Sequence, residues 1–348
     1  MRNRYCLVVV PVLGFMLIAS SCSTARAQGP TGGGSLTGDI VGGAALIFRA
    51  PKDPIVDLTA SSGSTIGGGK INGRPQKPPA RRQDQMIARG NAARSAATPR
   101  YAEAEKQYQL ATKVAPDDAR AFAGLGNIYV DQGRFGEAVE AYKQAIKIKP
   151  DYDAAYLPLA FSLARLSRFD EAIEVYQQIL KRNALNPEVY NNLSFAFNHT
   201  ERFQEAADAS KQAIKLLGET GEAYTQGFQE RNEILSYAYK NLGNAYSGMK
   251  QYGPAADALK RAATIEPSNA SAHFNLGLTL YRAGRYSEAI EAYRQVIKLR
   301  PTLAQGHFNL ALTYYAINDR NGAMAEYETL KGLDGEMAQK LYAVITRK

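Results

Sequence analysis

Thiols are almost absent from this 348-residue chain, since Cys6 and Cys22 both fall within the first 27 residues. If that stretch is a leader, the mature chain has none, which excludes a disulfide scaffold, a cysteine-ligated zinc site and a cysteine nucleophile. There are three histidines and no tryptophan, so little material remains for acid–base or metal chemistry near neutral pH. No cofactor is implied. The chain is 45% apolar and 22% charged, ordinary for a globular protein and unlike a disordered or membrane-embedded one. These shortages favour a binding protein over an enzyme.

What is present begins with a leader. Arg2 and Arg4 precede an apolar run, 5–19 (YCLVVVPVLGFMLIA), too short for a comfortable transmembrane helix, and Ala25-Arg26-Ala27 has the A-x-A form of a cleavage site. Residues 1–27 therefore read as a secretory signal peptide, and its removal leaves 39 basic against 33 acidic residues. In a competing reading, Ala19-Ser20-Ser21-Cys22 resembles a bacterial lipobox, with Cys22 lipidated and the chain anchored at an inner or outer membrane. Alanine stands where that pattern usually has leucine. The expected location is the periplasm or cell envelope, with membrane contact only through the lipid or the leader.

Residues 28–84 hold 12 of the 30 glycines and 6 of the 15 prolines. Such a stretch cannot bury enough surface to offset its ordering entropy, so it reads as a disordered Gly/Pro-rich linker, basic at its end (GRPQKPPARR). Residues 63–71 (GSTIGGGKI) imitate a phosphate-binding loop but carry serine at 64 where glycine is needed and isoleucine at 71 where a hydroxyl is needed. The apolar island 40–48 (IVGGAALIF) reads as a short strand, a partner-binding segment or a patch in a disordered arm, and is a candidate occupant of a groove in the units at 270 and 304.

Past residue 84 the chain repeats every 34 residues. With Ala119 as position 1, Phe122, Leu125, Gly126, Tyr129, Ala138, Tyr142, Ala145 and Pro150 occupy positions 4, 7, 8, 11, 20, 24, 27 and 32. Units starting at 153, 187, 236, 270 and 304 repeat the pattern, and a degenerate unit fits 85–118 through Ala92, Ala104, Tyr108, Ala111 and Pro116. A 15-residue insertion at 221–235 reads as a prolongation of the first helix of the unit at 236, by about four turns. The tail 338–348 places Leu341, Val344 and Ile345 on one face and reads as a capping helix. Apolar positions 4, 7, 8 and 11 share one face of a first helix, and 20, 24 and 27 share one face of a second. Small residues at 8, 20 and 27 permit close approach, glycine near 15 makes the turn, and proline at 32 ends the unit. One unit cannot bury its apolar face alone, so neighbours must stack.

These positions resemble the tetratricopeptide repeat, over units 119–152, 153–186, 187–220, 236–269, 270–303 and 304–337. The resemblance implies an all-α, right-handed superhelical solenoid of antiparallel helix pairs and a protein-binding role. It also implies a concave surface lined by positions 2, 5, 6, 9, 12 and 13 of the first helices. Position 6 is asparagine in four units, Asn192, Asn241, Asn275 and Asn309, similar to the asparagine ladder of peptide-binding members. An amide both donates and accepts, as an extended backbone requires; the plainer alternative is solvated polar residues. Phe274 and Phe308, Leu278 and Leu312, and Tyr281 and Tyr315 recur at positions 5, 9 and 12, forming either an apolar groove or packing within the solenoid. Lys240 and Asn244 resemble part of a clamp that grips chain termini.

Other classes have little support. His273 and His307 share position 4, a packing site, and equivalent residues of adjacent repeats lie too far apart to ligate one ion. Residues 85–348 carry 32 basic and 29 acidic side chains, too even a balance for nucleic acid, and export argues against it as well. The expected partner is a protein or peptide; a homo-oligomer is left open.

Overall fold

The computed structural model describes residues 82–219 and 228–346. The signal peptide, Cys22, the linker up to Arg81 and the island 40–48 lie outside the described residues. Within them every regular element is helical: α1 (Arg82–Arg94), α2 (Tyr101–Val114), α3 (Ala119–Asp131), α4 (Phe135–Ile148), α5 (Tyr156–Arg165), α6 (Phe169–Arg182), α7 (Pro187–His199) and α8 (Phe203–Glu219), then α9 (Phe228–Gly248), α10 (Tyr252–Ile265), α11 (Ala270–Arg282), α12 (Tyr286–Leu299), α13 (Ala304–Ala316), α14 (Arg320–Leu333) and α15 (Gly335–Ile345). Odd and even helices pair within each unit, and successive odd helices also touch.

The 34-residue period sets the helix boundaries. In all seven units the second helix starts at position 17, at Tyr101, Phe135, Phe169, Phe203, Tyr252, Tyr286 and Arg320. From α3 onward every first helix ends at position 13. Position 15 between them is left-handed in six units: Gly133 and Gly284 have φ 73°, and Ser167, Glu201, Lys250 and Asn318 lie between 57° and 65°. That conformation turns the N–H of position 16 back to the carbonyl of position 11, as in Arg134 N to Tyr129 O (2.7 Å) and Arg285 N to Leu280 O (2.9 Å). Nothing crowds a Cβ at Gly133, so Gly133→Ala should cost about 1 kcal/mol through backbone conformation alone. Glu201→Gly should gain a similar amount by relieving the same strain, and paired thermal melts of the two variants read the opposite signs.

The seam between paired helices is built from small residues. Position 20 is alanine in every unit, and Ala104, Ala138, Ala172, Ala206, Ala255, Ala289 and Ala323 are all completely buried. Opposite it, a large residue at position 24 lies flat on a small residue at position 8. A Cβ on Gly126 would sit 2.6 Å from the Tyr142 ring, and one on Gly277 would sit 2.8 Å from the Tyr293 ring. The unit at 187 solves the same contact differently, with buried Ser194 and Ser210 joined hydroxyl to hydroxyl at 2.6 Å.

One edge of the stack carries the N-termini of the first helices and the C-termini of the second. Asp118, Asn186 and Asn269, each just before position 1, accept from the first-turn amides of Arg120, Val189 and Ala272. Tyr156, His273 and His307 at position 4 each reach back to the carbonyl of the proline six residues earlier, at 2.6, 3.1 and 2.9 Å. The unit at 153 lacks the cap: Tyr152 makes no side-chain capping bond, residues Asp153–Ala155 form a 3-10 turn, and α5 starts only at Tyr156.

Two expectations need correction. In the first unit Ala92 is exposed, and Gly90, two residues earlier, packs against Tyr108; α1 is rotated relative to the other first helices. In the cap, Leu341 and Ile345 are buried but Val344 points out, 40% exposed. Beside the insertion, α8 runs three residues past position 30, and α9 is described from eight residues before position 1. Residues 220–227 lie outside the described residues.

Candidate functional site

The position-6 asparagines lie where the first helices of adjacent units meet. α7 packs on α9 and α9 on α11, so an amide at this height faces the neighbouring helix. Asn192 and Asn241 are completely buried. Asn241 Nδ2 donates to Asn191 Oδ1 at 2.9 Å and to the Asn191 carbonyl at 3.2 Å. Asn198 Nδ2 donates to the Asn241 carbonyl at 3.0 Å, and Asn275 Nδ2 to Asn244 Oδ1 at 2.9 Å. Asn309 is half-buried. Asn192 and Asn241 thus present no amide to an extended ligand, nor are they solvated: the amides at this height form a polar seam that ties the units at 187, 236 and 270 together.

The recurrent apolar residues divide in a similar way. Phe274 is buried edge-on to Tyr293, with ring centroids 6.0 Å apart. Phe308, Leu312 and Tyr315 pack against the cluster that α13 and α14 form with the capping helix α15. Tyr281 rests edge-on to Tyr286 at 5.4 Å. Leu278 lines an open cavity.

Lys240 departs furthest from its expected place. It is 1% exposed, with Nζ donating to Ser271 Oγ at 3.0 Å and lying 4.8 Å from the centre of the Tyr237 ring. Burial pushes its pKa down to about 7, partly opposed by Glu266. An ammonium group enclosed in the interface of α9 and α11 offers nothing to a ligand, so the clamp pairing of Lys240 with Asn244 does not form.

A cavity of about 270 Å³ lies where α7, α9 and α11 come together and is lined by Asn198, His199, Phe203, Asn244, Ser247, Gly248, Asn275, Leu278, Thr279 and Arg282. His199 stacks on Phe169 at 4.6 Å and leans on Phe195 at 4.5 Å, and desolvation lowers its pKa, which keeps the ring neutral at neutral pH. No carboxylate lines the cavity. Arg282 is exposed at its rim, and the Asn198 Oδ1 atom is buried without a protein partner. This wall of amides and hydroxyls with two apolar side chains, Phe203 and Leu278, and one cation suits a polar backbone carrying an apolar or anionic side chain. Asn198, Ser247, Gly248 and Arg282 occupy positions 12 and 13; those concave positions were the signal available in the sequence, although these four residues are of four different types. Among the described residues no group of His, Cys, Asp or Glu could hold a metal ion, and no helix is long and apolar enough to cross a membrane.

Comparison with known proteins agrees with this geometry. Family models described as TPR repeat match residues 126–167, 243–284 and 278–318, and one described as tetratricopeptide repeat matches 157–218. Among curated proteins none matches. Among solved structures, a tetratricopeptide repeat protein from Parabacteroides merdae is 13% identical over 76% of this chain and 99% of its own, with a TM-score of 0.57. Pseudomonas aeruginosa pilF is 21% identical over 65% of this chain and 97% of its own, with a TM-score of 0.51. At these identities the likeness is one of fold.

Proposed function

Because this chain belongs to the tetratricopeptide repeat family, we propose that it is a non-catalytic scaffold of the cell envelope that binds a peptide or protein segment on its concave face, at the junction of α7, α9 and α11. The observation that carries this reading is the cavity itself: it opens where three first helices meet and is walled by amides and hydroxyls that match a peptide backbone. The leader supports export. Lipidation at Cys22, which would make the chain a membrane-anchored assembly factor, is the alternative that the run Ala19-Ser20-Ser21-Cys22 supports.

The test is a crosslinking pull-down from the native host with wild type and a Leu278→Asp/Arg282→Glu variant. Both side chains lie on the cavity wall and outside the buried polar seam, so the variant should melt within about 0.5 kcal/mol of wild type. Loss of a partner at unchanged stability supports the reading; retention of every partner moves binding to another surface.

A further inference from the structure

A second cavity, of about 320 Å³, opens on the edge of the stack between the units at 153 and 187. It owes its existence to the missing cap: α5 begins late, through the 3-10 turn and Pro158, and leaves space beside the end of α6 and the start of α7. Its polar wall is closed on itself. Arg182 donates to Asp153 Oδ1 (2.7 Å), the Pro150 carbonyl (2.8 Å) and the Tyr156 hydroxyl (2.9 Å), and lies 4.2 Å above the Tyr156 ring. The apolar side chains at its opening are the half-buried Leu157 and Ile179, with Pro158 and Val189 buried behind them. Leu185, in the adjoining loop, is 56% exposed, the most exposed of the large hydrophobic residues described. A site of this kind takes apolar side chains rather than a charged ligand.

We propose that the apolar segment 40–48 of the same chain docks here, with Leu46, Ile47 and Phe48 against Leu157, Ile179 and the exposed Leu185. Two observations select this occupant. The first is direction: the chain N-terminal to α1 leaves from the edge that carries this cavity, and Asp84 in the first turn of α1 is held to Arg120 at the start of α3 by a 2.6 Å ion pair. The second is reach. From α1 to α5 is two steps between stacked first helices, about 20 Å, and the 33 residues 49–81 span about 30 Å as a Gly-rich coil. A tether of that length holds the segment at about millimolar effective concentration, so a modest apolar contact is enough to keep it docked. The docking goes beyond the concave-face reading and does not depend on it, because the two cavities have no lining residue in common.

The test uses the full chain carrying Cys6→Ser and Cys22→Ser, which removes both native thiols. Phe48→Cys is then paired with Leu185→Cys at the cavity, or with Val344→Cys on α15 as a control. On mild oxidation the 48/185 pair should form an intramolecular disulfide in well over half of the molecules, about tenfold more than the 48/344 pair. Equal yields, or disulfides only between copies, overturn the proposal. As an independent readout, Leu46→Ser/Ile47→Ser/Phe48→Ser in the otherwise native chain should speed hydrogen exchange at residues 153–158 and 179–189 by threefold or more. Unchanged exchange there, or a change confined to residues 270–316, overturns it too.

Discussion

Gly124→Ala should destabilise the N-terminal end of the stack by about 3 kcal/mol, the upper end of what one buried methyl usually costs in a filled site. Tyr108 is 1% exposed and lies between two glycines, Gly90 on its own first helix and Gly124 on the next. A Cβ on Gly124 would collide with the ring at Cε1, and a ring pushed the other way would meet Gly90, where a Cβ would already stand 2.8 Å from it. The hydroxyl is held as well, donating to Asn91 Oδ1. With both faces and the tip fixed, the ring has no cheap rotation available. Because each repeat touches only its neighbours, the loss should appear as faster hydrogen exchange across residues 82–148, with residues 286–345 unaffected. Adding Tyr108→Leu to Gly124→Ala should recover part of the loss, since the obstruction is the ring. Gly136→Ala is the matched control: nothing lies within 4 Å of its Cβ position, so in α4 it should be neutral or stabilising by up to about 1 kcal/mol. If both alanines behave alike, the sandwich does not govern stability.

Gly124 also shows why the fold was legible and the site was not. The repeat's packing rules concern size: alanine at position 20, a small residue at 8 and a bulky one at 24 can be read directly, because helix contacts of period 3.6 depend on where small and large residues fall. Even the Ser194–Ser210 pair keeps that size logic. The concave face has no such rule. Asn241 and Asn244 lie on the same helix three residues apart, yet one is enclosed by α7 and the other opens on a cavity. Which of them faces the neighbour depends on how far successive first helices rotate against each other, a quantity that no single unit's pattern contains. The same ambiguity misplaced Ala92, where a two-residue shift of α1 exchanged it with Gly90, and Lys240, which its resemblance to a clamp residue placed on the concave face.

Lys240→Met should raise stability at pH 7 by about 3 kcal/mol and flatten the alkaline part of the stability profile. Lys240 is enclosed among Tyr237, Ser271 and the first turns of α11, with Glu266 as the nearest opposing charge, and its pKa falls to about 7, against about 10.4 for an unfolded lysine. Between these two values the unfolded chain binds a proton that the native state does not, so stability must rise with pH across that window. Above about pH 10.4 neither state holds the proton and burial of the neutral amine costs little. Below pH 7 both states hold it, and the folded state bears the whole desolvation penalty, about 4 to 5 kcal/mol at 1.36 kcal/mol per unit. The Tyr237 hydroxyl beside it is pushed far above this range by its own burial and by the carboxylates of Glu266 and Glu233, so it does not titrate in the window. Methionine fills similar volume without a charge and sacrifices the bond to Ser271, about 1 kcal/mol, which leaves a net gain near 3. Chemical denaturation at pH 7, 8, 9 and 10 measures both effects: wild type should gain stability over that series and the variant should stay level. Parallel slopes would mean that Lys240 keeps its proton in the native state, with Glu266 and the Tyr237 ring compensating the buried charge in full.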